Sequence, residues 1–378
     1  MVWWENYPVY QAIEQAFLDG DLEEHAGGPL DVRAVVASIP REAKDSFAYD
    51  QVPWDRFPRG PETRGGVARL RSDDVDVVRR ALRCVEGELA NSAWSVAALA
   101  VPFLLRVAAD PRGHCRASAL ELVAGIVQWT PGPGRCTREE LLRLSDGEWR
   151  FEPSAYPGHW GIEAARDAVA ADLDLVTALL DDPDPEMRAA AAYAGVVASG
   201  RVNDVRSALH TRLRVEIDPA VRAGLVLALA QLACEHPDPE CRAWTKALWS
   251  DPATPPAVRV SAALGWLCLT DAPAPEALLA ALEECATDET ALLMAPLPWM
   301  RAVDHEGDTG LHRCMRGLLH PDDAEPVLDD PWGHPDWRRS PLRPDRPARR
   351  PCHSRPDPPE IALLAVAATL TAALVSHR

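Results

Sequence analysis

Asp184-Pro185-Glu186-Met187-Arg188 leads into the alanine-rich run Ala189–Ala198, and Asp218-Pro219-Ala220-Val221-Arg222 leads into Ala223–Ala233. These two copies decide the fold. An Asp ahead of Pro sets an N-cap carboxylate before a residue whose missing N–H costs nothing at the first helical position. The apolar residue that follows begins a buried stripe. The Arg, four residues after the Asp, lies one turn into the helix and within reach of a carboxylate on its own or the neighbouring unit. The apolar-Arg pair also occurs at Val78-Arg79, Cys115-Arg116, Val205-Arg206, Cys241-Arg242 and Val258-Arg259. From Arg188 onward the steps are about 18 residues, and Arg116 to Arg188 is close to four such steps. A fixed period of this size predicts a stack of helical repeats. Small residues such as Ala119, Ala191, Ala262 and Gly265 then let stacked helices approach closely. The structural ladder is assigned to Arg116, Asp184, Arg188, Asp218, Arg222 and Arg259.

Working outward, the pattern predicts helices over Val75–Leu89, Ser95–Ala108 and Cys115–Val127, and later over Leu173–Leu180, Val205–Leu213, Trp244–Trp249 and Val260–Leu269. Residues 1–66 are rich in aromatics, Pro and Gly, with apolar patches at Val9–Leu18 and Val32–Ile39. They are expected to form an N-terminal helical cap, since a terminal repeat needs an atypical polar face. The repeat region is then 67–320. Residues 130–161 break the period as a Pro/Gly-bounded insertion, with one short helix predicted at Arg138–Leu144. Residues 321–360 hold eleven prolines and many charges and are expected to be an extended linker. Residues 361–378 contain the small-apolar stretch Ile361–Val375. Fifteen helical residues span about 22 Å, short of a hydrocarbon core of about 30 Å, so a helix packing back on the protein is expected rather than a membrane span.

The Asp-Pro-x-apolar-Arg turn before an Ala-rich helix resembles HEAT repeats, specifically the bacterial HEAT-like repeats also found in phycobilisome lyases. The units at Asp184 and Asp218 match best, and Thr254–Leu269 follows with Thr in place of Asp. The stretch from Arg80-Ala81-Leu82 to Val101-Pro102-Phe103-Leu104-Leu105-Arg106 is similar to a group of actinobacterial HEAT-repeat proteins. The resemblance covers roughly 70–290. It implies an all-α fold, an α-solenoid built as a right-handed superhelix of antiparallel helix pairs. It implies little about chemistry, because repeat stacks are surfaces.

Composition narrows the function. The formal net charge is −18, and residues 331–378 carry eight arginines against four acids, which leaves −22 on residues 1–330. Such a body repels phosphate backbones, and nucleic-acid binding needs a basic footprint. A basic protein partner suits it better. The start Met1-Val2-Trp3-Trp4-Glu5-Asn6 has no basic, apolar leader, and nine cysteines without framework spacing point to a reduced, cytoplasmic setting.

Enzyme readings find little support. The di-iron hydroxylases of HEAT-like build rely on several His-Glu pairs, and this chain has one, His305-Glu306. The HEAT-like DNA glycosylases need a cationic groove. A bilin lyase would need a tetrapyrrole site that no residue marks. Cys234-x-His236-x4-Cys241 is short of four zinc ligands. Moreover Cys115 and Cys241 fill the apolar slot before Arg, which predicts small buried hydrophobes. The cluster His305, Glu306, Asp308, His312, Cys314 and His320 is the remaining acid–base or metal candidate. No Gly-rich phosphate loop or nucleophile elbow occurs, so no cofactor is expected. The expectation is a non-catalytic scaffold or adaptor that binds a protein or peptide on its concave face. One alternative is an acidic inhibitor or immunity protein masking a basic target. Another is an enzyme using residues 305–320. The candidate partner-binding residues are the insertion aromatics Trp149, Phe151, Tyr156, His159 and Trp160, because Trp and Tyr are enriched at interface hot spots.

Overall fold

The computed structural model describes residues 30–128, 136–145, 152, 156–304 and 309–320. All of them lie in one compact unit, Leu30–Asp323. Among the described residues the named elements are all helices, and Gln128 pairs with Leu144 in an isolated antiparallel bridge. The expected insertion residues Trp149 and Phe151, His305 to Asp308, the linker and the C-terminal apolar segment lie outside the described residues.

The first half is organised around one helix. In chain order it contains α1 (Val32–Ser38), α2 (Arg41–Asp45), α3 (Gly60–Val67), α4 (Val75–Ala90), α5 (Trp94–Ala109) and α6 (Arg116–Gly125). After the insertion come α7 (Gly158–Ala171) and α8 (Leu173–Ala178). α5 is apolar on every side and every residue from Ser95 to Ala108 is buried, as expected for a helix enclosed by others. It packs against α7, α6, α1, α4 and α3. Its one charged residue, Arg106, is buried and bonds Asp172, at the start of α8, through Nη2 at 3.0 Å and Asp45 through Nε at 3.1 Å. Lys44 adds a 3.3 Å contact to Asp172. A buried charge is tolerated only when paired in this way.

The second half carries the repeat. It contains α9 (Pro185–Gly195), α10 (Val202–Val215), α11 (Pro219–Glu235), α12 (Pro239–Ser250), α13 (Pro256–Cys268) and α14 (Glu276–Cys285). Asp184 accepts the Glu186 N–H, and Asp218 accepts those of Ala220 and Val221, so both expected caps form. Asp238 caps α12 in the same way, through Glu240 and Cys241. The motif therefore opens a third helix that the sequence pattern had not singled out. At Thr254 the expected cap does not form: Pro255 takes the N-cap position and no side chain caps α13.

α6, α9, α11 and α13 pack in succession as one layer, with α10, α12 and α14 packed against its members. The layer is buried on both sides. Ala223–Ala233 of α11 and Ala257–Leu267 of α13 are enclosed throughout, whereas α10 buries only Val205 and Leu209, and α12 only Thr245 and Trp249. Gly265 sits against Ala230 Cβ, where any side chain would collide.

The last helices supply the second cover. α15 (Asp288–Met294), α16 (Pro298–Arg301) and α17 (Gly310–Leu319) lie against α9, α11 and α13. Trp299 of α16 meets Tyr193 edge to face at 4.8 Å between centroids and donates its indole N–H to Gln231 at 2.9 Å. A Cβ at Gly224 would meet Leu297 and Trp299, so these side chains lie close over that position. The layer is thus also packed against by the chain's own residues 288–304 and 309–319. The physical reason is visible in α11 and α13: a helix apolar on all sides needs a cover on each.

The short helix expected at Arg138–Leu144 is absent. Residues 138–142 form turns, and Leu144 leaves them extended to pair with Gln128. Ser145 N donates to Val127 O at 2.7 Å. A segment this short gains little from helix formation alone, so burial of Leu141, Leu142 and Leu144 decides its path.

Candidate partner-binding site

The insertion aromatics that the structure describes point inward. Tyr156, His159 and Trp160 are all buried, which corrects their reading as a displayed partner surface. Tyr156 Oη donates to Leu30 O at 2.8 Å and accepts the Val32 N–H at 2.9 Å, thereby capping α1. Its ring packs edge to face on Phe57 and on Trp160. Burial pushes the Tyr156 hydroxyl well above its ordinary range. Trp160 in turn carries the Arg33 guanidinium at 4.6 Å from its centroid, a cation–π contact. Glu152, also buried, accepts the Ser95 N–H at 2.6 Å. It thereby satisfies one of the orphan donors at the start of α5. The end of the insertion holds the first half together, which is why large aromatics are spent there.

The arginine ladder does two jobs at once. Arg116 Nε donates to Ala108 O at 2.9 Å, and Arg259 Nε to Trp249 O at 3.3 Å. Arg188 Nη1 donates to Asp182 O and Pro183 O, both at 3.0 Å. Each guanidinium thus satisfies carbonyls at or just beyond the end of the preceding helix, where the dipole favours a cation. The remaining N–H groups take carboxylates: Asp182 for Arg116 at 2.8 Å, Glu216 for Arg188 at 2.8 Å and Glu284 for Arg259 at 3.0 Å. Arg222 departs from the pattern, because its Nε is buried with no hydrogen-bond partner among the described residues.

The most organised point of the ladder is Glu216, between α10 and α11. Its carboxylate is fully buried and gathers five donors. Arg188 bonds it through Nε at 2.8 Å and Nη2 at 2.9 Å. Arg212 Nε lies at 2.9 Å, and the N–H groups of Ile217 and Asp218 at 3.0 and 2.9 Å. Arg212 extends the network to Asp181 at 3.1 Å. Burial would raise the Glu216 carboxyl, but Arg188, the Asp218 N–H and Arg212 hold it down to about 2. The adjoining side chains do the opposite. Val215 is 61% exposed and Ile217 88% exposed. A backbone tied from inside by two N–H bonds to a carboxylate that Arg188 and Arg212 also hold therefore presents two apolar side chains to solvent. Sequence reading passed over this corner. The available signal was a single Glu between two β-branched apolar residues immediately before a cap.

Of the 305–320 cluster, His312, Cys314 and His320 lie among the described residues. His312 Nδ1 lies 3.1 Å from Thr309 Oγ1 and its Nε2 lies 3.9 Å from Asp288. Cys314 is fully buried, away from that edge. Cys241 Sγ lies 3.6 Å from Leu229 O, and burial pushes its thiol up to about 12. Cys234 Sγ lies 3.8 Å from Cys268 O. Among the described residues no group of three or more His, Cys, Asp or Glu side chains is placed to hold a metal ion. Nor, among those residues, is any helix long and apolar enough to cross a membrane.

Comparison with known proteins gives no assignment: no family model, curated protein or solved structure matches the chain.

Proposed function

We propose that this chain is a non-catalytic scaffold of HEAT-like helical repeats, arranged as an α-solenoid, that binds a protein or peptide partner at the corner between α10 and α11. The observation that carries this reading is the exposure of Val215 and Ile217 on a backbone fixed by the buried Glu216 carboxylate. Isolated exposed apolar residues are ordinary. Two of them on a preorganised loop are less so, because a rigid apolar site loses little entropy when it is covered. The corner replaces both the insertion aromatics and the covered inner layer as the docking point.

The test compares capture by the full-length protein with capture by the Val215→Asp/Ile217→Asp double variant. Both positions are exposed, so stability should change by no more than about 0.5 kcal/mol per site. A partner retained by the parent and lost from the variant supports the reading. Equal capture by both sinks it.

The formal charge of −18 favours a second reading, in which the protein masks a basic target. Such an association would weaken steeply as salt rises, because its encounter is electrostatically steered. Binding that is insensitive to salt between 50 and 500 mM, concentrations chosen on the order of a several-fold change in screening length, would rule it out.

A further inference from the structure

Cys136 and Cys314 are 178 residues apart and meet in the interior, with Cys136 S–H directed at Cys314 Sγ across 3.7 Å. Both residues are buried, at 2% and 0% exposure. The contact is part of a larger junction between the end of the insertion and α17. Arg138 Nε donates to Leu318 O at 2.9 Å and Nη1 to Ala272 O at 2.7 Å. Gly317 lies so close to the Cys136 carbonyl that any side chain there would collide with it. The two segments are therefore closely packed, and their sulfurs already touch. A disulfide needs the sulfurs at about 2.05 Å, so they must close from 3.7 Å for the bond to form.

We propose that Cys136 and Cys314 form a reversible disulfide that fastens the insertion to the last helix of the cover, with a hydroperoxide as the oxidant class. Cys136 makes the first attack, after losing the proton that it directs at Cys314. The Cys136 thiolate sulfur attacks one peroxide oxygen. The O–O bond breaks, the second oxygen leaves, after taking a proton, as water from hydrogen peroxide or as an alcohol from an organic hydroperoxide, and Cys136 becomes a sulfenic acid. The Cys314 sulfur then attacks the Cys136 sulfur. The S–S bond forms, the S–O bond breaks, and the departing hydroxide takes the Cys314 proton and leaves as water. Two thiols lose two electrons and the peroxide gains them. Burial makes this a slow reaction, set by how often the segment at Cys136 lifts from α17. A thiol reductant reverses it.

The full-length protein is treated with hydrogen peroxide, its remaining thiols are alkylated, and it is digested without reductant for mass spectrometry. The expected product is one pair of peptides joined through Cys136 and Cys314, absent after dithiothreitol. The oxidised protein should also melt higher by about 5 °C or more, since the bond closes a long loop. Cys314→Ser should lose the joined peptides while keeping its helical circular dichroism. Cys268→Ser should retain them, although the Cys268 and Cys314 thiols are close enough to influence each other electrostatically. Failure to detect the joined pair in the parent overturns the proposal. So does its loss from Cys268→Ser, or a dominant link between other cysteines.

Discussion

Glu216 ties its ionisation to folding, because its side chain is fully buried among five donors. Its carboxyl falls from an ordinary 4.5 to about 2 in the folded protein. The folded form binds the proton less readily than the unfolded form. The stabilisation is therefore complete above about pH 4.5 and is lost as pH falls from there through about 2. It amounts to about 3 kcal/mol. Glu216→Gln should accordingly be less stable than the parent near pH 6, and the gap should close as pH approaches 2. Urea denaturation of both proteins across that range is the measurement, and a gap independent of pH would refute the assignment. Glu216→Ala should cost more, about 3–5 kcal/mol, since it leaves the buried Arg188 without its carboxylate. The ladder arginines could be read from sequence because their spacing repeats. Glu216 stood out less: the i,i+4 spacing from Arg212 is common on helices, and Arg188, 28 residues away, reaches it only in the fold. Arg106 was hidden for the same reason: its carboxylates, Asp45 and Asp172, lie far from it in sequence.

Helices here are legible where their own residues dictate them and illegible where a neighbour does. The Asp184, Asp218 and Asp238 caps are local chemistry, and all three form. The turn at 138–142 is not local, since Leu144 is drawn into the bridge with Gln128. Two glycines separate these influences experimentally. Gly87 lies inside α4, and a Cβ there would meet nothing within 4 Å. Gly161 lies inside α7, and a Cβ there would come within 2.5 to 2.8 Å of the Trp94 and Ser95 backbone at the start of α5. Helix propensity alone favours Ala over Gly at both positions by about 1 kcal/mol. Gly87→Ala should gain roughly 0.5–1 kcal/mol. Gly161→Ala should instead lose about 1–3 kcal/mol, because close packing of α7 on α5 leaves no room for the methyl group. Thermal or urea unfolding of the two variants should move in opposite directions. A gain in both would mean that the α5–α7 approach is looser than described.

At the scale of the whole unit, the periodic sequence explains how α9, α11 and α13 follow one another, but not what covers them. Residues 288–304 and 309–319 depart from the period, and their helices return to pack on the repeat layer at long sequence separation. A simple repeat stack couples each unit only to its neighbours and unfolds piecemeal. A cover spanning three successive repeats should couple them. Trp299 is the position at which to measure this, because it meets Tyr193 of α9, lies close over Gly224 of α11 and bonds Gln231 of the same helix. Trp299→Ala removes a fully buried indole and should cost about 3–5 kcal/mol. The decisive readout is hydrogen exchange resolved along the chain. Coupling through the cover predicts lost amide protection across Ala189–Gly195 and Leu225–Ala233 as well as around residue 299. Protection lost only within residues 298–301 would mean that the repeats stand without their cover, and that α16 merely rests on them.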